Sequence, residues 1–234
     1  MQKIIKTQKG GFNFYQKDQD IDYWQVIDDY IHGRIVSKDL GSGNIDRSVA
    51  MLNIDGRHLI IKCEKERDKR LEKRLMRMIS GPYYSRLLHR LVKAQNQGCM
   101  ITNDIYFIAE KVKCRESVET WIIAEFVEGR VLTELEDITP YYFEIETIIN
   151  QLHAYGLSSN DIHAGNFVLT DNGLKVIDLS DYGNLTICKV NDLIALKRFY
   201  GIEPTKKSLI YRLIMFRDNF RHWSRKMRGK KTRL

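Results

Sequence analysis

Apolar and polar residues alternate over short runs in the first half of the chain, the pattern of half-buried β-strands. Asp55-Gly56 separates two of these runs and favours a tight hairpin turn. The pattern predicts a five-stranded antiparallel sheet, with strands at about 34–40, 47–54, 57–63, 103–111 and 119–127.

Other segments repeat apolar residues every three or four positions and predict helices. Residues 23–32 place Trp24, Ile27 and Ile31 on one face, and 64–97 are helical in character with an interruption at Gly81-Pro82. Further helices are predicted over 140–155, with a core face of Ile145, Ile148, Ile149 and Leu152, from about 189, and over 206–228. We therefore expect an α+β fold with an N-terminal lobe of residues 1–128 and a mainly helical C-terminal lobe of residues 129–234.

Composition excludes several protein classes. The 234 residues are 43% apolar, enough to bury a substantial core. The four cysteines form no C-x-x-C pair, so neither a zinc site nor a dense disulfide framework is expected, and a reducing cytosol is the simplest setting. No apolar run is long enough for a signal peptide or a membrane span, so any membrane contact should be peripheral.

Positive charge is concentrated at the C-terminal end. The formal net charge is +8, and residues 205–234 carry eleven Lys and Arg against Asp218 alone. The rest of the chain is slightly acidic, so the basicity indicates an anionic partner of this end and not of the body.

The stretch 158–181 carries the strongest functional signal. Two short apolar runs, FVLT and LKVID, meet at Asp171-Asn172-Gly173 and predict a β-hairpin. Asp161 and Asn166 precede the first strand and Asp178 ends the second. The hairpin should bring these three side chains to one end.

Two carboxylates and an amide oxygen at one point suit phosphoryl transfer from ATP. One carboxylate orients and deprotonates the attacking hydroxyl, and the other binds Mg²⁺ together with the amide oxygen. The spacing Asp161-x-x-x-x-Asn166 matches that of a kinase catalytic loop. We interpret Asp161 as the catalytic base and Asn166 and Asp178 as metal ligands. Ordinary turn and capping roles are the alternative.

An ATP-binding half can be assigned upstream. Gly41 and Gly43 lie in a predicted turn where backbone N–H groups could approach phosphate, although a flexible hairpin tip has the same composition. Lys62 ends an apolar strand, where it would contact the α- and β-phosphates or remain solvated. The backbone of Glu125 and Val127, at the connector between the lobes, could bind adenine.

Three supporting residues carry less distinctive signals. Glu72 is the one nearby candidate to pair with Lys62, His163 lies inside the catalytic loop, and Asp192 could cap the following helix or brace that loop. Only 13 residues separate Asp178 from Asp192, with no A-P-E sequence. A peptide-docking activation segment does not fit there, so the acceptor should not be a protein.

The predicted C-terminal helix has a long apolar seam, formed by Leu209, Leu213, Phe216, Phe220, Trp223 and Met227. A basic helix with such a seam could lie on an anionic bilayer. The seam could equally pack on the C-terminal lobe, with the last dozen residues reaching toward phosphate.

With these motifs assembled, the sequence resembles the lipopolysaccharide core heptose(II) kinase family of Gram-negative bacteria. The resemblance covers nearly the whole chain and is strongest at GPYYSRL (81–87), AEFVEG (124–129), SSNDIHAGNFVL (158–169), VIDLS (176–180) and NDLIALKRFYGI (191–202). The catalytic part is also similar to aminoglycoside phosphotransferases. Asn160 replaces the arginine of protein kinases, and Leu179-Ser180 replaces Phe-Gly.

The resemblance implies a bilobal, protein-kinase-like fold and an enzyme that uses ATP and Mg²⁺ to phosphorylate the second heptose of the inner core. It also implies a cytoplasmic protein, peripheral at the inner membrane, whose acceptor is the nascent core glycolipid. The alternatives are a small-molecule kinase of the aminoglycoside type, which should have an acidic acceptor site, and an inactive kinase-like binding protein. No nucleic-acid motif is present, so no nucleic-acid partner is expected.

Overall fold

A seven-stranded antiparallel sheet dominates the first half of the protein in a computed structural model, which describes residues 2–17, 21–41, 46–65, 81–180, 184–205 and 207–227. The strand order is β1-β2-β6-β7-β5-β4-β3. The strands are β1 (Ile5–Lys9), β2 (Phe12–Gln16), β3 (Ser37–Asp39), β4 (Arg47–Ile54), β5 (Arg57–Glu64), β6 (Ile105–Lys113) and β7 (Glu116–Glu125).

The prediction of five strands is wrong because it omits the N-terminal hairpin. β1 and β2 pair around Gly10-Gly11, both at positive φ, and β2 pairs with β6. A Gly-Gly pair is a recognised two-residue turn signal. The five predicted strands are present as β3 to β7, and Asp55-Gly56 forms the expected turn with both residues at positive φ.

Each face of this sheet has its own core. On one face, helix α1 (Tyr23–Ile31) buries Tyr23, Val26 and Ile27 against the sheet. The predicted face of α1 is partly wrong, since Ile31 is exposed. The opposite face packs on helix α2 (Tyr83–Asn96).

The second core continues across the predicted lobe boundary. Leu88 and Leu91 of α2 belong to the same buried cluster as Ile145, Ile149 and Leu152. The last three lie on helix α3 (Tyr142–Ala154), whose predicted core face is confirmed in full. One continuous apolar cluster therefore joins the sheet to the helices that follow it.

A second, three-stranded sheet contains the predicted catalytic hairpin. Its strands are β8 (Arg130–Val131), β9 (Phe167–Thr170) and β10 (Gly173–Val176), in the order β10-β9-β8. The hairpin is confirmed, with Thr170 opposite Gly173. A parallel bridge from Thr102 to Val176 connects this sheet to the chain just before β6.

Helix α4 (Leu185–Tyr200) begins earlier than predicted, because Asn184 caps it through a hydrogen bond to the Thr186 N–H. Asp192 therefore lies in the middle of α4, so the alternative that it caps the N-terminus of this helix is wrong. Gly201 ends the helix with positive φ.

The C-terminal helix α5 (Leu209–Met227) packs on the protein through the face opposite to its apolar seam. Tyr211 is buried against Val190 and Ile194 of α4, with Ile210, Ile214 and Met215 alongside. All six residues of the predicted seam are 55–72% exposed. Of the two alternatives for the seam, packing on the C-terminal lobe is therefore wrong. No helix among the described residues is long and apolar enough to cross a bilayer.

Candidate active site

The predicted catalytic residues lie at one end of the β9–β10 hairpin. The Asn166 Nδ2 donates to the Asp161 carbonyl oxygen at 2.9 Å, and the Ile177 N–H donates to the Asn166 carbonyl oxygen, also at 2.9 Å. A further bond of 3.0 Å joins the Ser180 hydroxyl to the Ser159 carbonyl oxygen. These contacts connect the segment around Asp161 to the segment around Asp178.

Lys62 reaches the same place from the large sheet. Its Nζ lies 2.6 Å from Asp178 Oδ1. Glu72, the predicted partner of Lys62, lies outside the described residues. The ion-pair partner that the structure shows is Asp178, a residue assigned from the sequence to metal binding.

The loop before Asp161 is held by a buried carboxylate. Asp192 Oδ2 accepts from the Ser158 hydroxyl at 2.7 Å and from the Ser159 N–H at 3.1 Å, and Oδ1 accepts from the Asn160 N–H at 2.6 Å. The His153 Nε2 lies 2.9 Å from Oδ2. Asp192 is fully buried, so these bonds satisfy a charge that would otherwise be costly.

His153 and Ser158 were not predicted as part of this site. His153 is the last basic residue of α3, and Ser158 lies four residues after the last residue of that helix. Their sequence signals are those of ordinary helix-end residues. Their common partner is Asp192 on α4, which lies 34 positions after Ser158. The two residues share it only because α4 packs against this segment in the folded protein.

Two residues in the site have backbone conformations that most side chains avoid. Asn160 has φ 57° and Asp178 has φ 60°. Asn and Asp tolerate this left-handed region better than other non-glycine residues. The Asn160 side chain also accepts a 3.0 Å hydrogen bond from Asn191. This conformation explains why asparagine suits the position where protein kinases have arginine.

Some of the backbone groups predicted to contact the nucleotide already have hydrogen-bond partners within the protein. Gly41 has positive φ, but its N–H donates to Asp39 Oδ1 at 2.8 Å, and Gly43 lies outside the described residues. The Glu125 N–H donates to the Asp104 carbonyl oxygen at 2.9 Å, so this group is not available to adenine. Val127 is half-buried in the connector between β7 and β8.

An apolar cavity lies beside the Lys62–Asp178 pair. Its walls come from β6, β7 and α2 and include Ile105, Ile122, Ala124, Leu87 and Tyr84. The Tyr84 hydroxyl donates to Glu64, which also accepts from Tyr83 at 3.0 Å and from Arg47 at 2.6 Å. Tyr84 and Glu64 were missed because a tyrosine on a helix and a glutamate at a strand end carry no specific motif.

Gly129 allows the connector to approach the hairpin closely. A Cβ atom built at Gly129 would lie 2.3 Å from the Leu169 carbonyl oxygen and 2.8 Å from the Val168 side chain. The glycine is therefore required by close backbone packing as well as by its φ of 149°.

His163 faces Asp161 at the mouth of the site. Its Nδ1 accepts from the Gly165 N–H at 3.1 Å, and its Nε2 lies 3.8 Å from Asp161 Oδ2. Both side chains are exposed to solvent.

Comparison with known proteins identifies the family of this chain. The model of the family described as "Lipopolysaccharide core biosynthesis protein (WaaY)" matches residues 3–230. The lipopolysaccharide core heptose(II) kinase WaaY of Escherichia coli (strain K12) is 31% identical over 232 residues, with 98% of this chain and 100% of the relative covered. A second Escherichia coli protein of that name is 28% identical over 228 residues, covering 97% of this chain and 99% of the relative.

Among solved structures, "WaaP in complex with acyl carrier protein" aligns with a TM-score of 0.48 at 16% identity, over 86% of this chain and 83% of that one. The family match covers nearly the whole sequence. The chain therefore belongs to the lipopolysaccharide core biosynthesis protein (WaaY) family.

Proposed function

We propose that this protein is an ATP-dependent kinase that phosphorylates the second heptose of the lipopolysaccharide core. The observation that carries the proposal is the convergence of Asp161, Asn166, Asp178 and Lys62 within a member of this family. The names of the curated relatives supply the acceptor.

Asp161 is suited to receive the proton of the acceptor hydroxyl. Its carboxylate is exposed, while its backbone carbonyl oxygen is anchored by Asn166 and by the Ser159 hydroxyl at 3.3 Å. In the step, the sugar oxygen forms a bond to the γ-phosphorus, the bond to the oxygen of ADP breaks, and the hydroxyl proton passes to Asp161. A fixed backbone with a free carboxylate supports this role.

The donor set of Asn166 and Asp178 fits Mg²⁺. Because the Asn166 Nδ2 is used in the bond to Asp161, its Oδ1 is left as an acceptor, and Asp178 contributes a carboxylate. Mg²⁺ commonly takes one or two such protein oxygens, with phosphate oxygens and water completing its shell. Bound there, Mg²⁺ would neutralise charge on the transferring phosphate.

The nucleotide would lie between the large sheet and the hairpin, in a protein-kinase-like arrangement. Lys62 would contact the phosphates, and the adenine would reach the connector at the Glu125 carbonyl oxygen and Val127. Gly41 and Gly43 would lie over the phosphates. Lys62, Asp178 and Ala124 line one small cavity, and this supports the placement because the proposed phosphate-binding groups and the residue before Glu125 border the same space.

Helix α5 would hold the enzyme on an anionic membrane, at the cytoplasmic side of the inner membrane where the nascent core glycolipid is presented. Its six exposed apolar side chains form one stripe, and the surrounding sequence is strongly basic. Burying such a stripe in a bilayer surface removes apolar area from water, while lysine and arginine contact anionic lipid. Both features favour a lipid surface as the occupant of this face.

Mass spectrometry of core oligosaccharide tests the main proposal. A strain without the endogenous heptose(II) kinase activity would receive either the wild-type gene or Asp161→Asn. We expect wild type to add one phosphate to the second heptose and Asp161→Asn to add none. A core that lacks the phosphate with wild type, although the purified protein binds ATP, would reject heptose as the acceptor.

A further inference from the structure

His163 occupies a constrained position for an exposed side chain. Its ring lies against Gly165 so closely that a Cβ atom there would be 2.9 Å from His163 Cε1 and 3.0 Å from Nδ1. The ring also accepts the Gly165 N–H at the start of the short turn Ala164–Asn166. Two contacts therefore fix the imidazole from one side.

The bond to Gly165 determines which nitrogen carries the ring proton. Because Nδ1 accepts a backbone N–H, the neutral ring must have its proton on Nε2. That nitrogen is the one nearer to Asp161, 3.8 Å from Oδ2. A hydrogen-bond donor therefore lies on the ring nitrogen that is near the carboxylate proposed as the base.

The two groups are close enough to share one oxygen atom. A direct hydrogen bond is excluded at 3.8 Å, but an oxygen placed beside the pair can lie about 2.8 Å from each atom. Such an oxygen would donate its proton to Asp161 Oδ2 and accept the Nε2–H of His163. A hydroxyl oxygen has one proton and two lone pairs, so one lone pair would remain free.

We propose that His163 and Asp161 bind the acceptor hydroxyl together, with the remaining lone pair directed at the γ-phosphorus. The inference rests on the proposed kinase function. As the proton moves to Asp161 and the oxygen bonds to phosphorus, the Nε2–H stabilises the negative charge that develops on that oxygen. His163 keeps its own proton throughout, and the leaving group remains ADP.

Two substitutions separate the two ring nitrogens. His163→Asn retains an acceptor near Nδ1 for the Gly165 N–H but has no donor at the position of Nε2. His163→Gln places an amide N–H near Nε2 and lacks the acceptor. Gly165→Ala leaves the histidine in place and displaces its ring, since the added Cβ would overlap it.

The purified full chain would be assayed with Mg·ATP and unphosphorylated core glycolipid. We expect His163→Asn and Gly165→Ala to lower kcat by about 10- to 100-fold, with the KM for ATP unchanged. His163→Gln should retain kcat within about tenfold of wild type. Melting temperature should remain near the wild-type value in His163→Asn.

A wild-type kcat in His163→Asn would overturn the inference, because the Nε2 donor would then be dispensable. A loss of kcat together with a large drop in melting temperature in both histidine variants would also overturn it. The imidazole would then serve only to stabilise the turn Ala164–Asn166. Equal loss of kcat in both, at unchanged melting temperature, would overturn it as well, because the Gln variant keeps an N–H donor near the position of Nε2. Asp161→Asn is measured in parallel. If wild type is inactive on this acceptor, the proposed function fails independently of His163.

Discussion

The Nζ of Lys62 lies 2.6 Å from Oδ1 of Asp178, although the two residues are 116 positions apart. Lys62 lies on β5 of the large sheet, and Asp178 lies just after β10, at the end of the β9–β10 hairpin. This ion pair connects the large sheet to the β9–β10 hairpin across the candidate active site. Phosphate and Mg²⁺ would each offer one of these groups a new partner, so nucleotide binding would replace a contact that already exists.

Replacing Lys62 with Met should abolish the response of the protein to Mg·ATP. The wild-type melting temperature should rise with Mg·ATP, because a ligand that binds only the folded state stabilises it. Lys62→Met removes the cation proposed to contact phosphate, and we expect no such rise and a kcat lowered by about 100-fold or more. Thermal shift and steady-state turnover measure the two effects.

Lys65→Met is the matched control, because Lys65 directly follows β5 and its Nζ lies 3.4 Å from Glu119 instead. It should respond to Mg·ATP as wild type does. An undiminished thermal shift in Lys62→Met would contradict the assignment of Lys62 to the phosphates.

Asp192→Asn should weaken both folding and catalysis. The amide can accept at one position only and brings N–H groups toward the donors of Ser158, Ser159 and Asn160. We expect a loss of about 3 kcal/mol in the free energy of unfolding, since a buried charged acceptor is removed. Denaturant titration and turnover at a temperature where the variant remains folded measure the two losses.

An exposed aspartate in the hairpin turn, Asp171, supplies the control. Asp171→Asn should change neither quantity, because asparagine suits a turn. If Asp192→Asn has wild-type stability and turnover, the loop does not depend on this carboxylate.

The sequence is most informative where local chemistry determines structure. Asp55-Gly56 predicts its hairpin, and the spacing of Ile145, Ile148, Ile149 and Leu152 predicts their burial, because turn conformation and helix periodicity are local properties. The hairpin between Asn166 and Asp178 follows from the same kind of signal.

Nonlocal packing explains what the sequence does not reveal. An apolar stripe on a helix is usually core, yet Tyr211 and Ile214 pack α5 through the opposite side and leave Phe216 and Trp223 exposed. Hydrophobic spacing identifies a stripe without identifying its partner. Likewise, no short motif indicates that Asp192 reaches back to Ser158.

Gly129→Ala should separate steric from backbone effects in the connector. The added methyl group meets the Leu169 carbonyl oxygen, so the connector or β9 must move. Gly156 also has positive φ but has open space around it, and Gly156→Ala reports the backbone cost alone. We expect Gly129→Ala to cost about 2 kcal/mol more than Gly156→Ala and to raise the KM for ATP. Equal costs in denaturant titration would mean that the connector adjusts freely.

Glu110 should make stability depend on pH. Burial raises the pKa of its carboxyl group, opposed by a 2.6 Å hydrogen bond from the Ser117 hydroxyl and by nearby Arg86. A raised folded pKa means that the contribution of Glu110 is fully present below its ordinary value and is lost as pH rises through the folded pKa. Glu110→Gln keeps an acceptor for Ser117 without the charge.

The melting temperature of Glu110→Gln, relative to wild type, should therefore be higher at pH 8 than at pH 4. Glu136 is exposed, and Glu136→Gln should show no such change. The difference in melting temperature between Glu110→Gln and wild type could instead be the same at both pH values. That result would show that the pKa of the Glu110 carboxyl group does not change on unfolding.

Polar substitution of the α5 stripe should release the protein from anionic vesicles. Leu213, Phe216 and Phe220 are exposed and lie on one side of the helix, so the triple change to Ser removes apolar area without opening the core. Burial of one such side chain contributes about 1.5–3 kcal/mol, so partition into phosphatidylglycerol vesicles should fall by at least about 100-fold. Sedimentation with vesicles measures partition, and Phe143→Ala, an exposed phenylalanine on α3, should bind as wild type does.

Trp223 provides a direct signal from the same surface, since it is exposed and would enter the lipid. Its fluorescence should shift to shorter wavelength with phosphatidylglycerol vesicles and not with phosphatidylcholine vesicles, and Trp223→Phe should lose this change. Raised salt should weaken binding to the vesicles, because it screens the attraction between lysine or arginine and anionic lipid. The factor by which the triple substitution lowers partition should stay the same, because apolar burial is not screened. Unchanged partition of the triple variant would reject the membrane role of α5. Concentration-dependent dimers that the same substitution abolishes would assign the stripe to a second copy of the chain.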